Sequence, residues 1–171
     1  MGGLKADRDI YVDKIDCFLN EAAEPGVLCV YSTYGSGASM DNTRQLVTVA
    51  ADPSGAKVAG VLVNEVVDID TTRYFVNTQK NQVNKGSKVQ LIQRGFIVTN
   101  QVEQGTISGG EAAYIGQSGL FANAGAITTV NGVLYGCAVT ENTNMTTFPK
   151  VGRFVSTADE FGYVKIEVDI K

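Results

Sequence analysis

The clearest pattern of apolar and polar positions lies at the end of the chain. Val164, Ile166, Val168 and Ile170 alternate with Lys165, Glu167, Asp169 and Lys171. A period of two places one set on each face of an extended segment, which predicts a strand with one face on the core. Other stretches are dense in β-branched and aromatic residues: GVLCVYS (26–32), VAGVLVNEVVDI (58–69), KVQLIQ (88–93), GFIVTN (95–100) and GVLYGCAVT (132–140). Each predicts a strand, and the near-continuous apolar run 58–69 predicts a central one. Arg94-Gly95 reads as the junction between two of them.

Turn signals separate these runs. They are Asp52-Pro53-Ser54-Gly55, Asn84-Lys85-Gly86-Ser87, Ser108-Gly109-Gly110 and Asn131-Gly132. Short strands with regular turns imply an all-β domain, a compact sandwich or barrel of short antiparallel strands. At most one short helix is expected, over 13–23, where Ile15, Phe18, Leu19, Ala22 and Ala23 follow helical spacing and Pro25-Gly26 would end it. Asp9-Ile10-Tyr11-Val12 just before it reads as extended. Residues 1–25 are therefore expected to form an N-terminal arm that docks on something, and 26–171 a single β-rich domain. The competing reading of the arm is that it packs on its own domain, as termini often do. A weak internal echo aligns AGVLVNE (59–65) with YGCAVTE (135–141), and PGVLCVYS (25–32) with GGEAAYIG (109–116).

Composition narrows the functional classes. The 171 residues include 19 glycines but only 3 prolines, which suits tight turns and glycine-punctuated strands. The net charge is −4 and no basic run occurs, so no nucleic-acid partner is expected, because displacing counterions from phosphates needs a basic face. No apolar stretch is long enough for a membrane span, and no membrane partner is expected. Cys17, Cys29 and Cys137 are odd in number and lack CxxC spacing. They read as small core residues of a protein made in a reducing cytoplasm.

The chain contains no histidine. That removes the Ser-His-Asp triad, the Cys-His pair and imidazole metal ligands. The most enzyme-like string is Asp68-Ile69-Asp70-Thr71-Thr72 after an apolar strand. It matches the DxDxT pattern of phosphatases that use a nucleophilic aspartate. That chemistry needs a parallel sheet with crossover helices, which the sequence downstream does not offer. A small β nucleotide hydrolase using Asp68 or Asp70 is a rival reading. Gly35-Ser36-Gly37 is a glycine-bearing loop without a following helix, and reads as a turn rather than a phosphate cradle. No catalytic residue, cofactor or metal site is assigned, and the chain is read as a non-enzyme.

Three strings carry a resemblance: YSTYGSGASMDN (31–42), ADPSGAKVAGVLVNEVVDIDTTRYFVN (51–77) and NKGSKVQLIQRGFIVTNQV (84–102). Together they resemble the decoration, or cement, proteins of tailed-phage heads over about residues 9–140. The best-matching positions are Pro53-Ser54-Gly55, Gly60-Val61-Leu62-Val63-Asn64, Arg73, and Gly86 through Asn100. Phe96 departs from the tryptophan that the family's pattern leads one to expect, while keeping aromatic bulk. The resemblance implies a β-rich structural virion protein on the outer surface of the expanded capsid. It would bind the phage major capsid protein as an oligomer, a homotrimer first and a dimer second, and resist internal genome pressure. It also implies that the N-terminal arm supplements a capsid strand. Ile10, Tyr11 and Val12 are the candidates for strand addition, with Phe18 and Leu19 as apolar anchors beside them. The alternative function is a carbohydrate- or receptor-binding β-module of a virion.

Overall fold

A computed structural model describes residues 4–5, 11–32, 45–49, 51, 55–65, 83–103, 106–123, 127–130, 133–136, 146–147 and 149–170. The described residues form an all-β domain whose long strand belongs to two closed rings at once. The strands are β1 (Leu4–Lys5), β2 (Tyr11–Leu19), β3 (Leu28–Tyr31), β4 (Leu46–Val49), β5 (Val58–Glu65), β6 (Lys88–Thr99) and β7 (Ala112–Ile115). They continue with β8 (Phe121–Ala122), β9 (Ile127–Val130), β10 (Val133–Gly136), β11 (Thr146–Thr147), β12 (Lys150–Phe154) and β13 (Val164–Asp169). Strands β9, β10 and β11 make a separate three-stranded sheet.

The first ring runs β2-β4-β3-β5-β6 and closes because β6 pairs back on β2, from Tyr11 opposite Gly95 to Phe18 opposite Lys88. Only the β2–β4 contact is parallel. Buried residues from every strand fill the interior: Cys17 and Leu19, Cys29, Val47, Ala59 and Leu62, and Val89 and Leu91. Ala23 and Val83 cap one end by exchanging backbone hydrogen bonds of 3.0 and 2.7 Å.

The second ring runs β6-β13-β12-β7-β8. It closes where Phe121 bonds the chain just beyond β6: its N–H donates to the Gln101 carbonyl at 2.9 Å, and its carbonyl accepts from Glu103 N–H at 2.8 Å. Ile97, Ile115, Phe121, Phe154, Val164, Ile166 and Val168 fill it. Leu28, Val30 and Val61, on the outer face of the first ring, complete this second core. Burying a residue of this size contributes about 1.5–3 kcal/mol, so the two cores hold the rings together as well as filling them. Closure also leaves these strands without the open edges that invite uncontrolled pairing.

Strand β6 serves both rings because its length is shared between them: β5 pairs with its first part and β13 with its second. Gly95 sits buried in mid-strand with φ +146°, a region that disfavours side-chain-bearing residues. It lies between Tyr11 on one side and Val168 on the other. The expected break at Arg94-Gly95 instead falls inside one continuous twelve-residue strand.

The expected helix over 13–23 is not formed. Residues 11–19 are strand β2, paired with β6 and β4. The burial pattern gives the reason. Cys17 and Leu19 are buried and Ile15 packs against the same core, whereas Lys14 is exposed. Counting Cys17 as apolar turns an apparent helical spacing into alternation. The segment expected as an arm thus contributes a wall of the first ring.

Candidate functional site

The N-terminal contact candidates fall in different surroundings. Ile10 lies outside the described residues. Tyr11 heads β2 opposite Gly95, and Val12 falls where the register shifts between Tyr11 and Asp13. Phe18 is half-buried, its backbone between Lys88 of β6 and Leu46 of β4. Leu19 is fully buried inside the first ring and has no surface to offer a partner in this fold.

The candidate chemistry is dispersed. Asp68, Asp70, Gly35, Ser36, Gly37 and Cys137 lie outside the described residues. Cys17 and Cys29 are buried in the first ring's core, as expected of small core residues. Burial, reinforced by the nearby Cys17 and Glu21, holds the Cys29 thiol well above its ordinary range. A protonated buried thiol is a poor nucleophile. Among the described residues no group of three or more Cys, Asp or Glu could hold a metal ion. None of their helices is long and apolar enough to cross a membrane.

Two surfaces of the second ring stand out. The first is the outer face of β6-β13-β12. Register sets Arg94 opposite Asp169, Phe96 opposite Glu167, and Glu167 opposite Arg153. Arg94 Nε lies 3.0 Å from Asp169 Oδ1, Arg153 pairs with Glu167, and Lys165 Nζ stands 5.7 Å from the Phe96 ring centroid. These pairs are largely exposed, so each adds little stability and serves mainly to fix where charges stand. Along the β12–β13 part of this face a shallow groove of about 480 Å³ is lined by Lys150, Gly152, Arg153, Glu167 and Asp169. Gly152 lets β12 and β13 approach closely: a Cβ there would collide with the Glu167 carbonyl oxygen.

The second surface is the loop joining β12 to β13. Asp159 Oδ1 accepts from the N–H groups of Phe161 (2.9 Å) and Tyr163 (2.7 Å). Asp159 N–H donates to the Tyr163 carbonyl, and Gly162 N–H to the Asp159 carbonyl. Gly162 takes φ +79°, which completes the turn. This tied loop presents Phe161, 63% exposed, with Val155, 43% exposed, at its start. Sequence reasoning passed over both. The available signal was an aromatic residue set among turn residues, Asp159-Glu160-Phe161-Gly162.

No model of a known protein family matches the chain, and no curated protein matches it either.

Proposed function

We propose that the protein is a structural virion protein that binds the outer surface of an expanded phage capsid and braces it by bridging major capsid protein subunits. The observation that carries this reading is where the resembling strings fall in the fold. Gly60-Val61-Leu62-Val63-Asn64 lies in β5, and Gly86 through Asn100 covers the turn into β6 and β6 itself, the wall shared by both rings. Two fused rings with separate filled cores make a stiff body, and stiffness is what a mechanical brace needs. In this reading Ile10, Tyr11, Val12 and Phe18 are the candidate capsid contacts, with Leu19 serving the core beneath them.

The mechanism is a clamp. A packaged genome pushes capsid subunits apart, and a body spanning several subunits must detach before they separate. Several modest contacts engaged at once raise avidity by about 10²–10⁴. Binding the expanded state alone stabilises that state by mass action.

The test is cosedimentation with purified undecorated heads, expanded and unexpanded. Saturable binding to expanded heads at a fixed ratio to capsid subunits is expected. Equal binding to both forms, or none to either, would contradict the reading. Glycan binding would then be the next assay, for the receptor-module alternative.

A further inference from the structure

We propose that the edge of β6 beyond Gly95 is a strand-accepting site, held closed by β1 and opened to an extended segment of the major capsid protein. The identity of that partner rests on the function proposed above. The edge and its strap rest on the register of the sheet.

Strand β6 carries β13 along one edge from Arg94 to Thr99. On the other edge β2 pairs only as far as Gly95. Among the described residues the one strand beyond it on that edge is β1, with Lys5 opposite Val98 and Leu4 opposite Thr99. β1 is two residues long. A pairing this short opens at little cost, because local opening is easiest where few contacts hold a segment. Its release uncovers main-chain groups on a strand that both cores share, and an uncovered edge is a template for another strand.

β1 also shows what the edge takes: an extended backbone running antiparallel to β6. Main-chain hydrogen bonds recognise that form, so an extended segment of another protein can replace it. A segment longer than β1 would also run alongside Phe96 and Ile97 and reach Asn100. The Asn100 Oδ1 is buried and has no hydrogen-bond partner among the described residues. An unmet buried acceptor is costly, and an added strand brings backbone N–H donors to this end of β6. The site adjoins Tyr11, which lies opposite Gly95, so it continues the surface of the candidate capsid contacts. Strand addition here runs opposite to the sequence expectation: the capsid chain joins the sheet of this protein.

Cosedimentation with expanded undecorated heads tests this on two variants of the full chain. Lys5→Cys/Val98→Cys puts thiols at directly opposite positions, whose Cα atoms in an antiparallel pair stand about 4.5–5.5 Å apart, within disulfide reach. Oxidised glutathione locks β1 in place, and dithiothreitol releases it. The locked protein is expected to bind heads at least tenfold more weakly than wild type, and the reduced protein to bind like wild type. A variant lacking residues 2–5, with the circular dichroism of wild type, is expected to bind at least as tightly as wild type, since its strap is gone. Locked protein that binds like wild type, or a folded deletion variant that loses binding, would overturn the inference and leave the capsid reading intact. Wild type that binds no heads would overturn both.

Discussion

The side-chain amide of Gln93 donates to the Ala59 carbonyl at 3.2 Å, while the Gln93 carbonyl accepts from Ile170 N–H at 2.9 Å. One residue thus marks the place where the two rings part. On this edge of β6, β5 pairs as far as Ile92 and β13 begins at Arg94. The Gln93 side chain fills the gap with a hydrogen bond that neither strand supplies.

Gln93→Ala should therefore cost about 1–3 kcal/mol, since it leaves the partly buried Ala59 carbonyl without this donor. Urea unfolding followed by circular dichroism checks this. An unchanged midpoint would show that the junction does not depend on the side chain.

Leu19→Ala should destabilise by about 2–5 kcal/mol, as expected for a truncation in a closed core. Phe18→Ala, on the half-buried face, should cost clearly less. Equal costs would argue against β2 as a wall of the first ring. The same geometry means that removing residues 1–20 takes away a ring wall. Point substitutions at Ile10, Tyr11, Val12 and Phe18, not truncation, are the way to test capsid contact.

A Cβ at Gly60 would lie 2.8 Å from Leu91 Cβ and 2.9 Å from the Ile92 carbonyl oxygen. Gly60→Ala must push β5 off β6 and should cost about 1–3 kcal/mol. Thermal unfolding of the variant would show a lowered midpoint; an unchanged one would contradict this close strand approach.

The Cys29 thiol, raised by burial from its ordinary value of 9.0, keeps its proton in the folded state where the unfolded chain loses it. The stabilising contribution is therefore fully present below pH 9 and declines as pH rises above it. The slope from this one group approaches about 1.4 kcal/mol per pH unit. Urea midpoints measured from pH 8 to 10 should fall, and Cys29→Ala should flatten that fall. In native protein at pH 8, Cys17 and Cys29 should resist thiol reagents until the chain unfolds.

Much of the fold was legible where alternation was strict. The C-terminal strand shows it plainly, because each apolar residue of β13 faces the second core. Residues 13–19 misled because Cys17 carries the alternation and Phe18 breaks it. The pairing of 11–18 with 88–95 joins segments about seventy residues apart, and no local pattern records such a contact. β12, with Gly152 and Arg153 between its buried residues Val151 and Phe154, gives too few apolar positions to announce itself. Phe161 was visible as a residue but not as a surface, since its exposure follows from a loop held together by Asp159.

The central claim is that this protein braces an expanded capsid, and heat disruption of heads tests it most directly. Undecorated expanded heads would be warmed with and without saturating protein while genome release is followed by dye fluorescence. A higher release temperature that tracks occupancy is the predicted result. Heads that release at the same temperature when fully decorated would contradict the account.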